Sequence, residues 1–207
     1  PHQAPVIVAP EQISRMLMAA DAVRPTPNSS LRPQVLRLAT VLLYTAGLRR
    51  GELLRLHLGD VNPRDAVLRI RQSKFHKSRW VPLSRDASAE LRRYLVQRHR
   101  RWGTAQPDDP LLCHGTRRCA GYTGTGLSQG LHELMDAAGV RGWDGRCPRI
   151  HDMRHSFAIQ CLLRWYRDGA DVQSQLPRLA MYMGHVSIAS TVYYLRWIPE
   201  LAQAASE

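Results

Sequence analysis

Val67-Leu68-Arg69-Ile70-Arg71 and Arg79-Trp80-Val81-Pro82-Leu83 are two short runs separated by Gln72-Ser73-Lys74-Phe75-His76-Lys77-Ser78. Short runs rich in β-branched and aromatic residues read as strands, and the polar, basic stretch between them reads as the turn of a β-hairpin. This hairpin decides the fold class, because the sequence on either side of it has helical period. Before it, Ile13, Met16, Leu17 and Ala20 recur at helical spacing, and a loop holds Pro25, Pro27, Asn28, Ser29 and Ser30. A second helix follows from Gln34 through Leu38, Val41, Leu42 and Thr45, with Gly47 available as a left-handed cap. A third starts near Arg49 and carries Leu53, Leu54 and Leu56. After the hairpin, Ala87, Leu91, Tyr94 and Leu95 share one face of a helix over Asp86 to Arg101. Trp102 to Gly126 reads as loop, and Leu127, Leu131, Leu134, Met135 and Ala138 mark a helix closed at Gly139. Asp152 to Arg167, Pro177 to Met183 and Ser187 to Leu195 complete the helices. The expected fold is mainly α with a small antiparallel β-sheet (α+β), in one domain over residues 1–207.

Composition narrows the function. Of 207 residues 44% are hydrophobic, enough for a core. The longest apolar stretch, Val41 to Leu48, falls far short of the ~20 residues a membrane helix needs, so no membrane association is expected. The N-terminus shows no signal-peptide pattern. Cys113, Cys119, Cys147 and Cys161 form no CxxC pair and read as reduced thiols of an intracellular protein. Twenty-nine basic residues against 17 acidic ones leave a net charge of +12, a field that favours nucleic acid as partner. Only two of the 29, Lys74 and Lys77, are lysines, and both lie in the hairpin turn.

Three clusters carry chemistry. In Thr45-Ala46-Gly47-Leu48-Arg49-Arg50-Gly51-Glu52-Leu53, two arginines open a helix, and guanidinium groups at a helix start suit phosphate. Solvated arginines on a surface turn, with Glu52 complementing the helix dipole, is the plain alternative. In Arg149-Ile150-His151-Asp152-Met153-Arg154-His155-Ser156-Phe157, a helix puts His151, Arg154 and His155 on one face. Zinc on this HxxxH is disfavoured, because a metalloprotease needs Glu after the first His and Arg154 would repel a cation. The face suits an anion, and no metal or cofactor is expected. The third stretch runs from Leu179 to Tyr194, with Gly184-His185 in a turn and Tyr193-Tyr194 two turns later. Adjacent tyrosines on a helix cannot both face the core.

In this order the clusters resemble the tyrosine recombinases, the phage-integrase family. The matching motifs are A-G-L-R-x-x-E-L at Ala46 to Leu53, H-x-x-R-H at His151 to His155, and G-H-x-x-x-x-x-T-x-x-Y from Gly184 to Tyr194. Counting back from Val81-Pro82-Leu83 places the family's lysine on Lys74. The family's nucleophile lies nine residues after the histidine, which selects Tyr194 over Tyr193. Tyr194 to Leu201 resembles the tail of transposon-borne and integrase-like members. The resemblance implies the tyrosine recombinase catalytic-domain fold, double-stranded DNA as partner, and metal-independent strand cleavage through a 3′-phosphotyrosyl link. It implies Arg49, Lys74, His151, Arg154, His185 and Tyr194 as catalytic residues and Glu52 and His155 as support. Arg50, Lys77 and Arg79 are expected to contact DNA. Arg49 and Arg154 would meet phosphate charge, and Lys74 would protonate the leaving 5′-oxygen, which arginine cannot do. Family members carry an N-terminal core-binding domain, for which these residues leave no room. They assemble as tetramers on two DNA sites through C-terminal tails, here Trp197, Ile198 and Leu201. A homotetramer and a monomeric isolated domain both stay open. A cytoplasmic, nucleoid-associated location follows. Two other readings remain: a type IB topoisomerase relaxing supercoils, and a non-catalytic DNA-binding regulator, which would not need Tyr194.

Overall fold

The computed structural model describes residues 4–71, 78–116, 119–185 and 187–197. Helix α1 (Pro10–Asp21) starts on a proline, whose missing N–H is an orphan at that position anyway. It buries Ile13, Met16 and Ala20 against α2 (Arg32–Thr45). Helix α2 is buried almost all round, through Val35, Leu36, Leu38, Ala39, Val41, Leu42 and Leu43. A helix with that pattern belongs at the centre. It packs on α1, α4 (Arg85–Trp102), α5 (Gly124–Ala137) and α6 (Ile150–Arg167).

The chain leaves α2 through Gly47, at φ 59°, where a Cβ would stand 2.5 Å from the Phe157 ring of α6. Both the left-handed turn and the close approach require glycine there. Short helix α3 (Arg50–Leu54) follows at once. The expected hairpin is present as β2 (Val67–Ile70) and β3 (Arg79–Pro82), paired antiparallel with Leu68 opposite Val81 and Ile70 opposite Arg79. Its expected turn, with Lys74 and Lys77, lies outside the described residues. A third strand, β1 (Val61–Asn62), escapes sequence reading because it is only two residues long, and it extends the sheet in the order β1-β2-β3.

The loop expected over Trp102 to Gly126 contains a second strand pair, β4 (Cys113–His114) and β5 (Ala120–Gly121). Folding back there brings Cys113 and Cys119 to a Cα separation of 5.5 Å, and they form a disulfide. This corrects the reduced-thiol expectation for those two; Cys147 and Cys161 are free thiols. Helix α7 (Val172–Met183) begins five residues before Pro177 (172 to 177), because the Asp171 side chain accepts from the Gln173 and Ser174 N–H groups and caps it there. Gly184, at φ 66°, ends it. A short α8 (Ala189–Val192) then tightens into a 3₁₀ turn over Tyr193–Trp197. The fold is thus mainly α with small antiparallel sheets.

Among the described residues, the buried apolar side chains form two hydrophobic cores. The larger one joins α1, α2, the three-stranded sheet, α4, α5 and the first turn of α6, as far as Met153. The smaller one joins Ala158, Ile159 and Leu162 of α6 with Leu176, Leu179 and Met183 of α7 and with Tyr194. Among the described residues, no helix is long and apolar enough to cross a membrane.

Candidate active site

Where the two cores meet, the last carbonyls of α7 would be left without partners in their own helix. Three arginines fill that role. Arg79 Nε donates to the Tyr182 carbonyl at 2.8 Å, Arg154 Nη2 to that of Met183 at 2.6 Å, and Arg49 Nη2 to that of Gly184 at 3.0 Å. Guanidinium groups there also complement the negative end of the helix dipole. Arg154 donates with its other nitrogen to the Gly47 carbonyl, so it ties the exit of α2 to the end of α7. It is 1% exposed, and burial first, then the neighbouring Arg49, lowers its pKa to about 10, which still leaves it a cation at neutral pH.

Glu52 is the counter-charge of this cluster. Its carboxylate accepts from Arg79 Nη1 and Nη2 at 2.9 and 3.0 Å, from Arg49 Nη1 at 2.8 Å and from the Arg49 N–H at 2.9 Å. Burial acts to raise its pKa, but the ion pairs and hydrogen bonds with Arg79 and Arg49 prevail and hold it at about 2. The bond to the Arg49 N–H also closes the start of α3, as a carboxylate three residues into a helix often does.

An open cleft of about 860 Å³ lies beside this cluster, lined by Arg49, His151, Arg154, His155, His185 and Tyr194. Helix α6 supplies His151, Arg154 and His155 on one face. The turn after α7 supplies His185, whose Nδ1 lies 2.8 Å from the buried Thr191 hydroxyl. Tyr194 is 2% exposed, its hydroxyl 3.2 Å from His155 Nδ1. The rings form a chain: His151 to His155 centroids are 4.7 Å apart, His155 to Tyr194 5.5 Å, and His185 stacks on Tyr194 at 6.1 Å. Burial, then Arg154 and other cationic neighbours, lowers His185 to about 4; burial, then His151, lowers His155 to about 4. Burial and then Arg154 also place His151 below its usual value. All three imidazoles are therefore largely neutral at pH 7. Burial raises the Tyr194 phenol, with Arg154 and Arg49 opposing it.

The structure thus brings together Arg49, Glu52, His151, Arg154, His155, His185 and Tyr194. Lys74 and Lys77 lie outside the described residues. Arg50 faces a neighbouring cavity of about 480 Å³, where it donates to Ser128 Oγ at 2.7 Å. Arg79, expected at DNA, is committed instead to Glu52 and the Tyr182 carbonyl. The signal was available: side chains two apart in a strand share a face, and Val81 is in the core, so Arg79 points inward too. Sequence reading had no sign of the Met183 and Gly184 carbonyls, since a backbone acceptor has no residue type. It also put His155 in a supporting role without its contact to Tyr194. Among the described residues, no group of three or more His, Cys, Asp or Glu side chains is placed to hold a metal ion.

Comparison with known proteins identifies the family. Residues 7–199 match the Phage integrase family. The chain is 39% identical over 204 residues to y4rB of Sinorhizobium fredii, named as an integrase/recombinase, covering 97% of this chain and 64% of that protein. It is 33% identical to the tyrosine recombinase XerD of Caulobacter vibrioides, over 92% of this chain and 57% of that one. The chain therefore spans under two thirds of the length of these relatives. Among solved structures, the XerA recombinase superposes with a TM-score of 0.71 at 21% identity, over 99% of this chain and 63% of that one.

Proposed function

This chain belongs to the phage integrase family, and from that premise we propose that it is the catalytic domain, over residues 1–207, of a site-specific DNA recombinase that cuts and rejoins strands through Tyr194. The observation that carries the reading is the cleft: a buried tyrosine, three neutral imidazoles and two fixed guanidinium groups line one open space.

In the proposed cleavage step the Tyr194 oxygen forms a bond to a DNA phosphorus, and the bond from phosphorus to the 5′-oxygen breaks. The 3′-phosphate stays on the tyrosine, and the covalent link keeps the bond energy for rejoining to another strand. The phenolic proton passes to His151, which is neutral at pH 7 and can accept it. Arg49 and Arg154 meet the charge that builds on the non-bridging oxygens. Arg49, whose side chain is a quarter exposed, does so by direct hydrogen bonding from the cleft wall, and Arg154, at 1% exposed, chiefly through its field. His185 donates to phosphate in its Nε2-protonated form, with Nδ1 held by Thr191. The departing 5′-oxygen needs a proton, and Lys74, outside the described residues, is assigned that role because arginine hardly releases one. Arg50 and Lys77 contact the flanking backbone.

The whole protein is proposed to act on double-stranded DNA as a tetramer on two sites, in the cytoplasm at the nucleoid. The relatives include recombinases solved on DNA, among them a lambda integrase tetramer bound to a Holliday junction, which supports that reading. The test is to incubate the chain with fragmented genomic DNA from its source and recover DNA bound covalently to protein. The proposal expects recurrent fragments joined by a 3′-phosphate, none with Tyr194→Phe, and strand exchange between two such sites. Covalent capture by Tyr194→Phe, or plasmid relaxation with no strand exchange, would overturn it.

A further inference from the structure

Two adjacent tyrosines stand at the cleft, and something must select which oxygen attacks. Tyr193 and Tyr194 both line the cleft, with ring centroids 6.0 Å apart. Tyr194 is gripped at two places. His185 stacks on its ring, at an interplanar angle of 25°. His155 meets its hydroxyl, with Nδ1 at 3.2 Å. His155 stands on a rigid base: it follows Arg154, whose guanidinium bonds two carbonyls, and its ring is backed by His151 edge-on at 4.7 Å. A reacting group held by a locked side chain on a helix keeps its geometry better than one held by a loop.

We propose that His155 is the positioning residue for the nucleophile: its Nδ1 accepts the hydrogen bond from the Tyr194 hydroxyl and thereby fixes the phenolic oxygen in the cleft. This rests on the reading that Tyr194 attacks DNA. Acceptance at Nδ1 requires the tautomer protonated at Nε2. Burial first, then His151, Arg149 and Arg154, oppose a positive charge on His155, against support from Asp152. A ring titrating at about 4 is neutral at pH 7, yet too weak a base to keep the proton. So weak a base orients the phenol rather than keeping its proton.

The test combines kinetics with a spectroscopic readout. On a DNA fragment recovered by covalent capture, His155→Phe keeps a ring but loses the acceptor, and attachment should slow by about 10²-fold, the scale of a misplaced reacting atom. His155→Asn carries an acceptor where Nδ1 stood and should recover most of that loss; DNA retention should be the same in both. Independently of DNA, ¹⁵N spectra of the free protein should show His155 protonated at Nε2, with an Nδ1 resonance that moves in Tyr194→Phe and not in Tyr193→Phe. Full-rate attachment by His155→Phe, equal defects in the Phe and Asn variants, or an Nδ1 resonance unmoved by Tyr194→Phe would overturn the proposal. If Tyr194→Phe still attaches DNA, the nucleophile assignment fails; if it is dead while His155→Phe is fully active, only the positioning role fails. Should His155→Phe not fold, the Asn variant and the spectra decide.

Discussion

The larger core and the smaller core hold different halves of the cleft. Arg49 and Glu52 sit on the turn and short helix that leave α2, and α2 is the most enclosed helix of the larger core. His185 and Tyr194 sit on segments packed on the smaller core, which consists of little more than the far half of α6 and α7. Helix α6 runs through both and carries His151, Arg154 and His155 at the crossing. A small core buries less apolar surface per residue and opens at lower free energy. Arg49 therefore stands on the segment that leaves the central helix of the larger core, and Tyr194 in the smaller core, which is expected to open first. The arginines matter twice: their donors to Gly47, Tyr182, Met183 and Gly184 also fasten the smaller core to the larger one.

The largest expected effect is at the fastener itself. Arg154→Ala and Arg49→Ala should each slow covalent attachment by ~10²–10³-fold, the cost of losing one group that stabilises transition-state charge. Arg50→Ala, which faces the neighbouring cavity, should change little. An inactive Arg50→Ala beside an active Arg49→Ala would break the comparison, because Arg49 is the residue bonded to Gly184.

Next comes Glu52. Its folded pKa of about 2 against an ordinary 4.5 is worth about 3 kcal/mol at neutral pH, as one pKa unit is ~1.4 kcal/mol. Since the folded value is depressed, this stability is fully present above pH 4.5 and lost as pH falls through 2. Glu52→Gln should be destabilised by about that amount at pH 7 and lack that acid loss. The imidazoles act at higher pH. His155 and His185 titrate at about 4 when folded and near 6.5 when unfolded, so protons bind the unfolded chain first and stability falls from pH 6.5 to 4. Denaturant unfolding at pH 7, 5 and 3 separates the two windows; an unchanged midpoint between pH 7 and 5 would contradict the neutral histidines.

A smaller effect concerns motion. Hydrogen exchange should show the amides of Leu162 and Leu179 opening at lower free energy than those of Leu38 and Leu42, with the gap widening in Arg154→Ala. Equal values would mean that the two cores open as one. The smallest effect is on the outer face of the sheet, where the Arg69 guanidinium lies 5.8 Å over the exposed Trp80 ring. Arg69→Ala should cost ~0.5–1 kcal/mol and leave attachment unaltered.

Much of this was legible in the sequence. The helix α2, its exit at Gly47, the β2–β3 hairpin and the helix face of His151, Arg154 and His155 follow from period and glycine placement. Two of the three clusters suited an anion, the family resemblance joined the third to them, and side chains from all three line one cleft. What escaped reading has a common cause, dependence on groups far away in the chain. Arg79 is held by a carboxylate 27 residues earlier and a carbonyl 103 residues later. The Cys113–Cys119 bridge needs a strand pair too short to show a period. His155 meets Tyr194 across 39 residues, in a 3₁₀ turn where a regular helix was expected.

The most direct test of the account is the address of the DNA on the protein. The covalent complex, trapped on genomic fragments and digested with trypsin and nuclease, gives the peptide Leu179 to Arg196 carrying the remnant nucleotide, and tandem mass spectrometry assigns it to one residue. The account predicts the adduct on Tyr194, the phenol held by His155 in the arginine cleft. An adduct on Tyr193, or on any residue outside the cleft, would contradict it.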